Sequence, residues 1–210
     1  VVSYLEQSLG MVAGLKNDAD ACALAEWRYG AGRGCRHMIF LTFGTGLGAG
    51  LVLNGRLYEG ACGMAGEAGH VRLAEEGPVG YEKAGSFEGF CSGGGIARLA
   101  RSMAEDALKA GRLVSYMKEG GLDVITARDV AVAAEMGCAD AREVLAVSGR
   151  YFGRGLAMLV DILNPERIVA GGIYARAGRF LKDEMENELR REALPASVNA
   201  CCILPCGLGE

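Results

Sequence analysis

No CxxC pair occurs in this sequence, although it holds eight cysteines, at positions 22, 35, 62, 91, 138, 201, 202 and 206. The start "VVSYLEQ" has neither the basic lead nor the long apolar core of a secretory signal. Scattered thiols without a leader imply free, buried cysteines of a reducing cytosol, not a disulfide framework, and a cytoplasmic chain. Basic runs are missing too. The formal net charge is −4, which disfavours nucleic acid as a partner of this chain. No apolar run is long enough to cross a bilayer, and the longest, around "LAMLVDIL", contains Asp161. Histidine is scarce, with two in the whole chain.

What is present is an ordinary globular balance, 50% hydrophobic and 23% charged residues in a chain of 210. That length suits one domain or one and a half, with enough apolar surface for a sizeable core. Glycine is abundant, at 33 residues, but it punctuates periodic apolar segments and gathers in two clusters, "GTGLGAG" and "SGGG". Such placement reads as turns and helix ends, not as low-complexity disorder.

The periodicities alternate between strand and helix. A helix is predicted from near Asp18 to near Gly30. Residues 37–58 read as strand, glycine turn, strand, tight Asn54-Gly55 hairpin and strand. Residues 60–95 are glycine-rich and irregular, as a site-building loop would be. A helix follows with Ile96, Leu99, Met103 and Ala107 on one stripe. Thr126 and Asp129 resemble a capping box opening another helix. Residues 139–163 form a long helix carrying Val144, Val147, Tyr151, Met158 and Ile162, with Pro165 beyond its end. "RIVAGG" is a short buried strand, "YARAGRFLKDEMENELRREAL" a helix and "CCIL" a last strand. The expected class is α/β with a sheet that is not purely parallel.

Three stretches carry chemistry. "FGTGLGAG", residues 43–50, joins two apolar strands through backbone that can present N–H groups to an anion. It is not a Walker A loop, because no Lys-Ser/Thr follows, and it does not open a helix as a dinucleotide fingerprint does. It fits a phosphate-gripping β-hairpin, with a plain β-turn as the alternative. Asn17-Asp18 falls at a strand-to-helix junction, where Asp18 is either a helix N-cap or a general base exposed in a cleft. "GEAGH" sets Glu67 and His70 three residues apart among glycines, a pairing suited to a metal, a sugar or an acyl group.

Taken in order, Asn17-Asp18, "GTGLGAG", "GEAGH" and "LNPE" followed by Gly171-Gly172 resemble the ROK family (repressor, open reading frame, kinase) from about Asn17 to about Glu210. The resemblance implies the ribonuclease H-like, actin-like ATPase fold (ASKHA), mainly its larger C-terminal lobe. It implies ATP-dependent phosphorylation of a hexose or amino-sugar, with Mg2+ accompanying the nucleotide and a homodimer as the assembly. Residue by residue, it makes Asp18 the catalytic base and Asn17 its neighbour on the sugar. Glu67, His70 and Glu88 become further sugar contacts. Gly44, Thr45, Gly46, Gly48 and Gly50 would grip phosphates, and Gly171 and Gly172 would lie against the nucleotide. Sugar hydroxyls both donate and accept, so carboxylates beside an amide or imidazole suit them.

Two departures stand out. Relatives typically hold a structural zinc on the histidine and three cysteines, and those cysteine positions fall here on Val79, Tyr81 and Ser86, none of which can replace a thiolate. No structural zinc is therefore expected, Cys91 being one thiol at the wrong spacing, and hydrogen bonds and packing of residues 74–92 must hold the loop. The family's opening Asp-Gly-Gly-Thr strand and its closing helix are also lacking. The expectation is a fragment, residues 1–18 being a remnant of the N-terminal lobe and hinge and 19–210 the C-terminal lobe, whose isolated form need not be active. The alternative to a kinase is the sugar-sensing, dimerising part of a transcriptional repressor. A third reading is an inactive remnant that only dimerises.

Overall fold

The computed structural model describes residues 1–117 and 119–209; Lys118 and Glu210 lie outside the described residues. The chain opens with α1 (Val2–Leu9) and α2 (Asp18–Tyr29), then forms β1 (Met38–Phe43), β2 (Leu47–Leu53) and β3 (Arg56–Leu57). A loop follows, containing a short 3-10 turn (Ala68–His70), the small hairpin β4 (Val79–Gly80) and β5 (Lys83–Ala84), and α3 (Phe87–Phe90). Then come α4 (Gly93–Lys109), α5 (Ala127–Glu135), α6 (Ala139–Leu163), β6 (Arg167–Ala170), α7 (Ile173–Glu192), α8 (Pro195–Ala200) and β7 (Cys202–Pro205).

The main sheet has five strands in the order β3-β2-β1-β6-β7. β1 and β2 are antiparallel, from Met38 opposite Val52 to Phe43 opposite Leu47. Asn54 and Gly55 link β2 to β3 with φ of 54 and 71, the doubly left-handed turn that Asn-Gly favours because its twist matches the strands. β6 runs parallel to β1, and β7 parallel to β6. The sheet is mixed, as the alternating hairpin and helix signals predicted.

Side chains alternate across the pleat. Ile39, Leu41 and Phe43 of β1, with Ile168 and Ala170 of β6, enter a large core completed by α3 to α7. Met38, Phe40 and Val169 point the other way, onto Ala23 of α2, Cys35 and the half-buried Trp27. The result is three layers: α2, the sheet and the helices of the main core. No helix among the described residues is long and apolar enough to cross a membrane.

The long helix falls where the periodicity placed it, but with a different buried face. Of its marked residues only Val144 is fully buried, and Ile162 is 73% exposed. The buried face runs through Ala141, Leu145, Ser148, Gly149, Phe152, Gly153, Leu156 and Val160. Glycine decides it: a Cβ at Gly149 would lie 2.4 Å from the Leu181 carbonyl, and one at Gly153 2.3 Å from that of Met185. α7 therefore lies directly on α6, closer than large side chains allow. On α4 the stripe is likewise rotated, centred on Ile96, Ala100, Ala104 and Ala107, with Leu99 and Met103 at its edge. The capping box is present, Asp129 N–H donating to Thr126 Oγ1 and Thr126 N–H to Asp129 Oδ2 at 3.0 Å. All eight cysteines are free, but only Cys35 and Cys91 are buried, while Cys22, Cys62 and Cys202 are exposed. α1 and α8 lie outside the elements expected from the sequence, although α8 opens on Pro195 and α1 ends on the left-handed Gly10.

Candidate active site

Asn17, not Asp18, caps α2: its Oδ1 accepts from Ala19 N at 2.9 Å. That corrects the N-cap reading of Asp18, which is the first helical residue instead, with Oδ1 2.8 Å from the same N–H. Its carboxylate is exposed at the positive end of the helix, where the backbone dipoles favour the anion. The end is seated by close approach of α2 to β2. A Cβ on Gly50 would lie 2.5 Å from the Ala19 carbonyl. Gly50 thus positions α2 and does not line the cavity below.

Facing Asp18 is the turn between β1 and β2. Gly44 N–H donates to the Gly46 carbonyl at 3.0 Å. Thr42 Oγ1 accepts from Gly48 N at 2.9 Å, closing the base of the turn. Glu88 reaches the turn from α3, its Oε2 accepting from Leu47 N at 3.0 Å and lying where a side chain on Gly46 would stand. A cleft of about 380 Å³ is lined by Asn17, Asp18, Thr42, residues 44–49, Glu67 and Glu88, among others.

The Glu67–His70 segment packs on β2 through two glycines. Gly66 has φ 93, and a Cβ there would lie 2.0 Å from the Ala49 carbonyl; one on Gly69 would lie 2.1 Å from that of Leu47. Only glycine permits that approach. It brings Glu67 into the cleft wall, whereas His70 stands just behind it, with Nε2 3.8 Å from Glu67 Oε2. Of the expected sugar contacts, Asn17, Asp18, Glu67 and Glu88 therefore share one cavity, whereas His70 is not among the residues that line it and reaches it only through Glu67.

A larger cavity of about 990 Å³ opens on the other side of the same turn. Gly44 and Thr45 line both; Gly93, Gly94, Arg101, Arg128, Gly172 and Arg176 line the second, together with apolar residues of α4, α5 and α7. The N-termini of α4 and α7, helices of 17 and 20 residues, open at its wall. Such ends attract anions. Gly172 has φ 58, and a Cβ there would lie 2.2 Å from the Phe43 carbonyl. With Gly171 it also lines a third, smaller recess of about 250 Å³.

A profile of the ROK family matches residues 1–209. The chain belongs to the ROK family. A glucokinase of Halalkalibacterium halodurans is 38% identical over 193 residues, covering 91% of this chain and 58% of that protein. The chain thus spans little more than half the length of this relative. A ROK glucokinase from Streptomyces griseus, solved with glucose and AMPPNP, superposes with a TM-score of 0.81 at 30% identity, covering 99% of this chain and 67% of that one. A ROK transcriptional regulator, a homologue of the E. coli MLC protein, reaches 0.84 at 27% identity, over 99% of this chain and 51% of that one. These likenesses place the fold among the actin-like ROK proteins.

In this ROK chain the positions of the zinc-binding cysteines hold other contacts. Ser86 is buried; its Oγ donates to the Gly80 carbonyl at 3.2 Å and accepts from Gly89 N at 3.0 Å. Tyr81 lies edge-on to His70, with ring centroids 4.5 Å apart, and Val79 is exposed. Backbone bonds from Leu73 and Ala74 N–H to the Gly85 carbonyl, and from Phe87 N–H to that of Val71, hold the surrounding loop. Among the described residues no group of three or more His, Cys, Asp or Glu side chains converges as a metal-holding set.

Sequence reasoning missed Thr42, which braces the turn, and the three arginines of the larger cavity. Thr42 had a readable signal, a hydroxyl in the strand just before a glycine turn. Arg101, Arg128 and Arg176 had none, because they come from three helices that only the fold brings together.

Proposed function

We propose that this chain is the larger lobe of an ATP-dependent sugar kinase that phosphorylates a hexose or amino-sugar, residues 19–210 forming that lobe and 1–18 the remnant of hinge and first lobe. One observation carries the reading: Asp18 shares a cleft with the Gly44–Gly48 turn, and that turn also borders the larger, arginine-lined cavity. A sugar on the Asp18 side and a nucleotide on the other would meet at the turn. Asn17, Glu67 and Glu88 would hold hydroxyls, while Gly44, Thr45, Gly46 and Gly48 face the phosphates. As the sugar oxygen bonds to the γ-phosphorus, the bond to the β–γ bridging oxygen breaks and ADP leaves. The Asp18 carboxylate takes the hydroxyl proton in that step, so protons and charge balance. Mg2+ would arrive with the nucleotide, and no step here depends on its being held by this chain. The ATP requirement fits a cytoplasmic enzyme, and the family resemblance suggests a homodimer.

The second reading is the sugar-sensing, dimerising part of a repressor, and the TM-score with the ROK regulator favours it. The test needs the complete protein. Asp18→Asn keeps shape and hydrogen bonding but loses the proton acceptor, and its cost should be about 10²–10⁴-fold in turnover. The melting temperature should hold, since Asn17 is the cap, and sugar affinity should change little. Near wild-type turnover in Asp18→Asn removes the base assignment; absence of turnover in the wild type, with sugar binding retained, selects the sensor.

A further inference from the structure

We propose that the β4–β5 hairpin is a positioning device for His70, with Tyr81 as the residue that fixes the imidazole and, through it, the Glu67 carboxylate in the cleft wall. The proposal rests on the sugar-binding reading of that cleft.

Two contacts from one hairpin converge on one residue. The Tyr81 ring meets the His70 ring edge-on at 4.5 Å, with planes inclined by 68°. Two positions on, Lys83 Nζ donates to the His70 main-chain carbonyl at 2.7 Å. The first holds the side chain and the second the backbone. From the imidazole the line continues to Glu67, whose Oε2 is 3.8 Å from His70 Nε2. That distance is too long for a hydrogen bond, so the imidazole acts as a wall beside the carboxylate.

The hairpin is also built against local preference. Tyr81 and Glu82 are its two turn residues, between the paired Gly80 and Lys83, and both are left-handed, with φ of 47 and 62. Asn-Gly or Gly-Gly suits such a turn, and bulky residues there are strained. Tyr81 is 74% exposed, so its ring contributes little to the core. Strain kept at a surface ring whose neighbour is a site residue marks a constraint other than stability. Ser86 Oγ donates to the Gly80 carbonyl, directly before the turn, so the hairpin is fastened next to the residue that touches His70.

The test is Tyr81→Gly in the complete protein, because glycine relieves the left-handed turn while removing the ring. In the complete protein the His70 imidazole NMR signals are assigned as those that disappear in His70→Gln. The expected result is an unchanged or raised melting temperature, displaced His70 signals, and glucose affinity weakened roughly two- to tenfold, the strength of one aromatic pair. Tyr81→Phe should match the wild type in all three. His70 signals left in place by Tyr81→Gly, or displaced with unchanged glucose affinity, overturn the proposal. A melting temperature that falls in step with affinity, and Tyr81→Phe failing like Tyr81→Gly, would also overturn it, pointing to a structural ring and a needed hydroxyl. If the wild type binds no glucose, the kinase reading fails for that sugar, and the His70 signals alone decide whether Tyr81 holds the imidazole.

Discussion

The α6–α7 pair and the loop at residues 60–92 are held by opposite means. Between α6 and α7 the backbones touch at Gly149 and Gly153, and the buried Glu188, 3% exposed, accepts from Arg154 Nη2 at 2.9 Å and Arg191 Nη2 at 2.7 Å. The loop has little regular structure. It is tied by backbone bonds, by the Ser86 hydroxyl and by the ring contact at His70. Close packing gives rigidity that one polar change disturbs broadly, whereas a loop of separate hydrogen bonds can be altered one contact at a time. The lesson concerns function: the scaffold sets where the site stands, and the loop sets how its side chains point. The two regions meet at Arg154, whose Nη1 lies 3.4 Å from the Leu73 carbonyl.

The hardest blow to the scaffold side is Glu188→Ala. It leaves Arg154 without its carboxylate partner at the helix interface, while Arg191 keeps Glu192, and should cost about 2–3 kcal/mol, the scale of a hydrogen bond to a charged group. Calorimetry should show a lower melting temperature, while sugar affinity stays near wild type. A loss of affinity as large as the loss of stability would break the division, and Arg154 would be the place to look.

On the loop side, Ser86→Ala leaves the Gly80 carbonyl and the Gly89 N–H buried without their partner. The expected cost is about 1–2 kcal/mol, with a fall in sugar affinity that Glu188→Ala does not show. Titration calorimetry on both variants gives the contrast directly.

The smallest effect sharpens the scaffold description at its exposed margin. Glu166 accepts from Arg36 N at 2.7 Å and His37 N at 2.9 Å, fastening the entry to β1, and those two N–H groups hold its carboxyl below the usual range. A lowered folded pKa contributes stability above the unfolded value, near about 4.3. That share is lost as pH falls through the folded value. Glu166→Gln should therefore lower stability by no more than about 1 kcal/mol at neutral pH, since the site is exposed. The difference from wild type should shrink toward acid. A constant difference across pH would remove the carboxylate's role.

Much of this was legible in the chain. The apolar runs of β1 and β6, the Asn54-Gly55 turn, the Thr126–Asp129 box and the helix ended before Pro165 are short-range patterns, each set by residues within a few positions of one another. The order of Asn17-Asp18, the glycine turn and "GEAGH" pointed to the family for the same reason, because each motif is continuous. The fold alone decided which face of α6 is buried, since that depends on how near α7 comes. It decided that Glu88 holds the Leu47 N–H, 41 residues away. It also brought Tyr81 to His70 and gathered Arg101, Arg128 and Arg176 from three helices around one cavity. Propensity and turn chemistry are properties of neighbours along the chain. A side chain's partner across the fold is chosen by the packing of the whole, and no local pattern records it.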